Sequence, residues 1–175
     1  MTWQAPRRLP WLLLISVLVF VADRLTKLWV AHHIGFGEDV PLIPRVLSLS
    51  HWNNDGAAFS MFADSASPHA VRVGLIAFTI VAALVVLIVL IRIGSRITLT
   101  TVALALILGG AIGNVHDRIA YGSVVDFIAV YIYHYHWPDF NIADSCIVIG
   151  ACLLFLDSLR PHKKPAPPDE LPAQS

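Results

Sequence analysis

"VGLIAFTIVAALVVLIVLI", residues 73–91, carries no charged side chain in 19 residues. Wound as a helix rising about 1.5 Å per residue, such a run nearly covers the roughly 30 Å of hydrocarbon in a bilayer. It has no polar face, so it suits lipid better than the surface of a soluble core. A second charge-free run, from Ile97 to Val115, follows after a break that holds Arg92 and Arg96. Working outward, Leu9 to Ala31 and Phe140 to Leu159 are further apolar segments of comparable length. The fold class expected is therefore mainly α, a polytopic membrane protein with four transmembrane helices. Composition agrees: of 175 residues, 57% are hydrophobic and 14% charged, and the mean hydropathy is +0.69. One soluble core of this size could not hide that much apolar surface.

The first segment starts like a secretory leader, with Arg7 and Arg8 before Leu12-Leu13-Leu14-Ile15 and a weak cleavage pattern at Phe20-Val21-Ala22. Asp23, Arg24 and Lys27 follow at once and the apolar pattern resumes at Leu28-Trp29-Val30, which favours an uncleaved helix. Formal net charge is zero, so the placement of charge is more informative than its sum. Arg7 and Arg8, Arg92 and Arg96, and Arg160, Lys163 and Lys164 all fall on one side of a four-crossing chain. That side is the cytoplasm, where basic residues accumulate. Both termini are then cytoplasmic, and residues 32–72 and 116–139 lie outside. Residues 1–160 read as a single domain. Residues 161–175, rich in Pro and polar side chains, read as a disordered cytoplasmic tail.

The outer stretch "VPLIPRVLSLSHWNNDGAAFSMF", residues 40–62, mixes strand formers with turn residues at Pro41, Pro44 and Asn54-Asp55-Gly56. It predicts a small β-sheet on the outer surface from about residues 36–62, followed by a short amphipathic helix or loop around 64–72.

Ionisable residues within a membrane are expensive, so each calls for a reason. Asp23 and Lys27 are four apart on one helix face, a spacing suited to an ion pair. Asp117 and Arg118 arrive as the third segment ends, where the plain reading is an interfacial pair that stops the helix and the favoured one is that they scaffold a site. Asp126, within Val124-Val125-Asp126-Phe127-Ile128, has no surface explanation. Its neighbours predict desolvation, which favours the protonated acid near neutral pH. Asn141 before an apolar run is a good helix cap, and Asp144 three residues on fits the capping box. The cap accounts for Asp144 without function, but it leaves Asp126 and Asp144 at the same face, at the mouths of neighbouring segments. Two such carboxyls are the raw material of general acid–base hydrolysis. The eight histidines form no metal-ligand spacing. Cys146 and Cys152, six apart in an apolar run, read as packing residues.

Five blocks, in order, then point to a family. They are Asp23-Arg24-Leu25-Thr26-Lys27, Asn54-Asp55-Gly56-Ala57-Ala58-Phe59-Ser60, Gly113-Asn114-Val115-His116-Asp117-Arg118, Val124-Val125-Asp126-Phe127 and Phe140-Asn141-Ile142-Ala143-Asp144-Ser145. Over roughly residues 9–160 the chain resembles the bacterial lipoprotein signal peptidases, membrane aspartyl peptidases. The resemblance implies removal of signal peptides from diacylglyceryl-modified prolipoproteins, with cleavage before the lipidated Cys. Asp126 and Asp144 match the family's catalytic aspartates. Asn54, Asn114, Arg118 and Asn141 match polar residues lining the site, Gly56 its tight outer loop, and Asp23 with Lys27 the paired positions of the first helix. No metal or other cofactor is implied. The partners are prolipoprotein substrates and membrane phospholipid, with no nucleic acid, and a monomer is expected. The location is the bacterial cytoplasmic (inner) membrane, with the active site near the outer face. Asn53 and Asp55 depart from the pattern, which more often has an aromatic and a Thr there.

Two other classes remain from the residues alone. A proton-coupled carrier could relay through Asp23, Asp117, Asp126 and Asp144, but the second and third segments hold no acid at mid-depth. A thiol peptidase could use Cys146, but apolar surroundings keep a thiol in its unreactive protonated form.

Overall fold

The computed structural model describes residues 6–55 and 68–160. Gly56, the rest of the Asn54 to Ser60 block, the 64–67 part of the expected outer helix or loop, and the tail 161–175 lie outside the described residues. In chain order the elements are α1 (Leu9–His33), β1 (Asp39–Ile43), β2 (Leu47–Asn54), α2 (Pro68–Ile93), α3 (Leu99–Ala120), β3 (Val124–Ile132), β4 (Tyr135–Phe140) and α4 (Ile142–Ser158).

Helices α1, α2 and α3 are long and apolar enough to cross a membrane. α2 makes the case most directly, because Phe78, Val81, Val85 and Ile88 all point outward with no protein to cover them. In water that face would be untenable, whereas in lipid it needs no partner. α4 has 17 residues, or roughly 25 Å at about 1.5 Å each. Helix ends follow local chemistry. Thr98 and Thr101 cap α3 reciprocally, and Asn141 and Asp144 do the same for α4. α2 starts at Pro68, so residues 68–72 belong to this helix instead of a separate outer element.

α3 is the hub, packed against α1, α2 and α4. Small residues allow the close approach. A Cβ on Gly109 would meet the Ser16 carbonyl oxygen of α1 at 2.6 Å, and one on Gly110 would strike the Ala143 carbonyl of α4. Away from the sheet, Leu12, Leu90, Leu104, Ala105 and Leu108 form an apolar cluster.

The sheet is larger than expected. Its four antiparallel strands run in the order β1-β2-β3-β4, so half of it comes from residues 124–140, well beyond the 36–62 stretch. Pro41 lies inside β1 and marks no turn. β1 is an edge strand, where a missing N–H is tolerated. The turn falls at Pro44-Arg45, with Arg45 in the left-handed region at φ 65°. Gly122, at φ +86°, redirects the chain from α3 into β3. Phe127 on β3 packs with Val30 of α1 and with Ile34 just past its end, which seats the sheet on the end of the bundle.

Candidate active site

β3 delivers the first carboxylate. Its pairing with β2 sets Trp52 opposite Asp126 and Asn54 opposite Val124. Asn54 then donates from Nδ2 to Asp126 Oδ2 at 2.9 Å. The other oxygen, Oδ1, accepts from Asn141 Nδ2 at 2.7 Å. Asp126 is only 4% exposed. Burial, reinforced by the negative charge of Asp144, raises its pKa from 3.8 to about 7, against the opposing pull of the two amide donors and Lys27.

α4 delivers the second. The Asp144 N–H donates to Asn141 Oδ1 at 3.0 Å, and Asp144 Oδ2 accepts from the Asn141 N–H at 3.3 Å. The capping box uses one oxygen of Asp144 only. Oδ1 turns into the site, where it accepts from Asn114 Nδ2 at 2.7 Å. Asn141 thus caps α4 with its oxygen and holds Asp126 with its nitrogen, so one side chain fixes both acids.

Beneath the acids lies a buried ionic cluster. Lys27 Nζ sits 2.7 Å from Asp23 Oδ2, the ion pair that the spacing predicted. It also lies 2.8 Å from Asp117 Oδ2 and donates to Asn114 Oδ1 at 3.1 Å. Arg24 reaches Asp117 Oδ1 at 3.2 Å. The second oxygen of Asp23 accepts from the Ala143 N–H at 2.9 Å, tying the first turn of α4 to α1. Asp117 and Arg118 do not end the helix. α3 continues to Ala120; Asp117 turns inward to Lys27 and Arg24, while Arg118 lies along the cavity and donates to the Asn114 carbonyl at 3.3 Å. Lys27, Asp23 and Asp117 are each 1% exposed, tolerable only because the charges are paired.

Asp126 and Asp144 open onto a cavity of about 540 Å³, with Asn54, Asn114 and Arg118 on its polar side. Trp137, Phe140, Ile147 and Val148 supply an apolar wall. A polar catalytic end beside a greasy wall suits a substrate that is part peptide and part hydrocarbon. Asp139 on β4 is a lining residue that the sequence does not single out; its carboxylate is held by Ser50 at 2.6 Å and by His136 at 2.8 Å. The alternation in "YIYHYHWPD", residues 131–139, which would let His134 and His136 share a strand face, is the one signal there. Among the described residues, no three His, Cys, Asp or Glu side chains assemble as a metal site.

A family profile described as Signal peptidase (SPase) II matches residues 15–160. A lipoprotein signal peptidase of Pseudomonas putida (strain KT2440) is 45% identical over 161 residues, covering 91% of this chain and 92% of the relative. One from Pseudomonas aeruginosa (strain UCBPP-PA14) is 43% identical over 157 residues, covering 89% and 91%. A bacterial membrane enzyme solved by the in meso method superposes with a TM-score of 0.78 at 29% identity, over 95% of this chain and all of that one. With a profile spanning most of its length and relatives 43% and 45% identical over about nine-tenths of it, the chain belongs to the signal peptidase II family.

Proposed function

We propose that this chain is an aspartyl endopeptidase that removes signal peptides from diacylglyceryl-modified prolipoproteins, cutting before the lipidated Cys. The observation that carries the proposal is the meeting of Asp126 and Asp144 at one cavity, each oriented by asparagine amides. With its raised pKa, Asp126 is the member that keeps a proton near neutrality. Asp144 takes a proton from water as the water oxygen bonds to the scissile carbonyl carbon. As the C–N bond breaks, Asp126 gives its proton to the departing amine nitrogen. One proton then passes from Asp144 to Asp126 and restores the pair. The Arg118 guanidinium in the cavity wall offsets the negative charge that develops on the carbonyl oxygen. No metal or cofactor enters these steps.

The setting we propose is the bacterial cytoplasmic membrane. α4 makes a fourth crossing, its modest length extended by the tilt and local thinning that short spans permit. Both termini are cytoplasmic, and the sheet and both acids lie at the outer face of a monomer surrounded by phospholipid. The basic residues at Arg7, Arg8, Arg92, Arg96 and Arg160 support this orientation. A reporter fused at Gly94 should report the cytoplasm, and an outer location would overturn the topology.

The deciding assay uses purified protein with a diacylglyceryl-modified prolipoprotein and its unlipidated twin. Cleavage of the modified form alone is expected. Equal rates on both would overturn the substrate assignment.

A further inference from the structure

Lys27 is the least expected residue in the molecule: a full positive charge, 1% exposed, on the same helix face that buries Leu12, Val19 and Val30. The charges around it balance without help from the acids of the site. Lys27 and Arg24 on α1 face Asp23 on α1 and Asp117 on α3, two cations against two anions. Replacing a buried ion pair by well-packed apolar side chains is often neutral or stabilising, so stability alone does not account for the cluster.

The geometry at Asn114 does. A side-chain amide has one accepting end and one donating end, and here the neighbours decide which is which. Lys27 Nζ, at 3.1 Å, can only donate, and so can Asn141 Nδ2, at 3.4 Å. Both face the same atom of Asn114, which must be its oxygen. Its nitrogen is thereby committed to Asp144 Oδ1 at 2.7 Å. Turned over, Asn114 would present an oxygen to Asp144 and an N–H to the ammonium.

Resting on the two-aspartate reading above, we propose that Lys27 is a positioning residue: it holds Asn114 in the one orientation that donates to Asp144, and so keeps Asp144 the ionised partner of the pair. A donor to the ionised form favours that form. The stabilisation is shared by the state with one proton on the pair and the state with none. Losing it therefore moves the acidic limb of the pH profile upward and leaves the alkaline limb in place. The charged and titratable groups around this chain of contacts are Asp23 and Arg24 on α1, His116, Asp117 and Arg118 on α3, Asp126 on β3, Asp139 on β4 and Asp144 itself on α4.

The test removes the ammonium without leaving an unbalanced charge. In the double variant Lys27→Met/Asp23→Asn, Asp117 keeps Arg24, and the amide oxygen introduced by Asp23→Asn can still accept from the Ala143 N–H. Folded variant should show kcat reduced about tenfold or more with KM within about threefold. Its acidic limb should rise by about one pH unit, tenfold in proton affinity, and by clearly more than the alkaline limb, which the charge of Lys27 near Asp126 also reaches. Lower amplitude with both limbs unmoved would make Lys27 a scaffold only. Equal movement of both limbs would mean that its field, and not the orientation of Asn114, is what acts. Either result overturns the proposal, as does a kcat within about threefold of the parent. Lys27→Gln/Asp23→Asn restores an N–H donor toward Asn114 and keeps the proposal open to test should the methionine form not fold: its acidic limb should return toward the parent's, and a full shift overturns the proposal. Substantial cleavage by Asp126→Asn or Asp144→Asn would instead strike the two-aspartate reading, whatever the Lys27 variants do.

Discussion

The two ends of the helix bundle are built on opposite principles. Near Leu12, α1, α2 and α3 meet through Leu90, Leu104, Ala105 and Leu108, and the contact is dispersion between side chains with no preferred direction. About four turns further along α1, the same helix meets α3 and α4 through Asp23, Lys27, Asn114 and Ala143, where every contact has a donor, an acceptor and an angle. The apolar end can relax around a lost methyl group. The polar end cannot, because removing one member leaves a buried charge or donor with nothing to face. The difference teaches where precision is stored: one end holds the helices together, and the other aims two carboxylates.

The strongest way to break this contrast is at the acids. Asp126→Asn or Asp144→Asn should lower kcat/KM by about 10² to 10⁴-fold in folded, membrane-inserted protein. Because the pair acts as a unit, the double variant should be scarcely worse than either single one, and a chelator should leave the parent enzyme unaffected. Additive losses in the double variant would separate the two residues into independent roles.

A second effect, on the order of a few kcal/mol, concerns stability and pH. Folding raises the Asp126 pKa from 3.8 to about 7, so the folded chain holds that proton more tightly than the unfolded one. The contribution is complete below the unfolded value and is lost as pH rises through about 7. Asn at this position does not titrate. Measured by melting temperature, Asp126→Asn should therefore gain on the parent between about pH 4 and about pH 8, and a constant difference would mean that Asp126 is not desolvated. In the parent, cleavage should likewise follow a bell-shaped profile with an alkaline limb near pH 7.

At the apolar end, Leu12→Ala should cost roughly 2–5 kcal/mol of stability through the cavity it leaves, since Leu12 is fully buried. Its kcat, corrected for the folded fraction, should stay within about twofold of the parent. A change in the pH profile of this variant would show the two ends to be coupled. Smallest is Thr98→Ala, which deletes the side-chain cap of α3 and should cost about 1 kcal/mol with no change in the profile.

Much of this was legible beforehand because it depends on near neighbours. The capping box of Asn141 and Asp144 spans three residues, and the Asp23–Lys27 pair spans four. The strand at Asp126 was harder to see. "VVDFIAVYI" is nearly continuous in apolar residues and broken by one acid, so it shows neither clean alternation nor a helical stripe. The partners of Asp117 were hidden for a similar reason. Its sequence neighbour Arg118 is the obvious partner on paper, but successive helical residues point about 100° apart, and Asp117 faces α1.

By itself the sequence determined that the chain needs lipid, roughly where its helices run, how α4 is capped, and which polar blocks stand in which order. Charge-free length, periodicity and capping act over a few residues, and each can be read in place. Only the tertiary structure decided that Asn54 would hold Asp126 across 72 positions, that Lys27 would turn Asn114 toward Asp144, and that residues 124–140 would complete the sheet. Those choices are made by which surfaces are buried together when α1, α3, α4 and the sheet converge. A buried donor or charge accepts whatever partner that convergence brings within reach, however far away it lies along the chain.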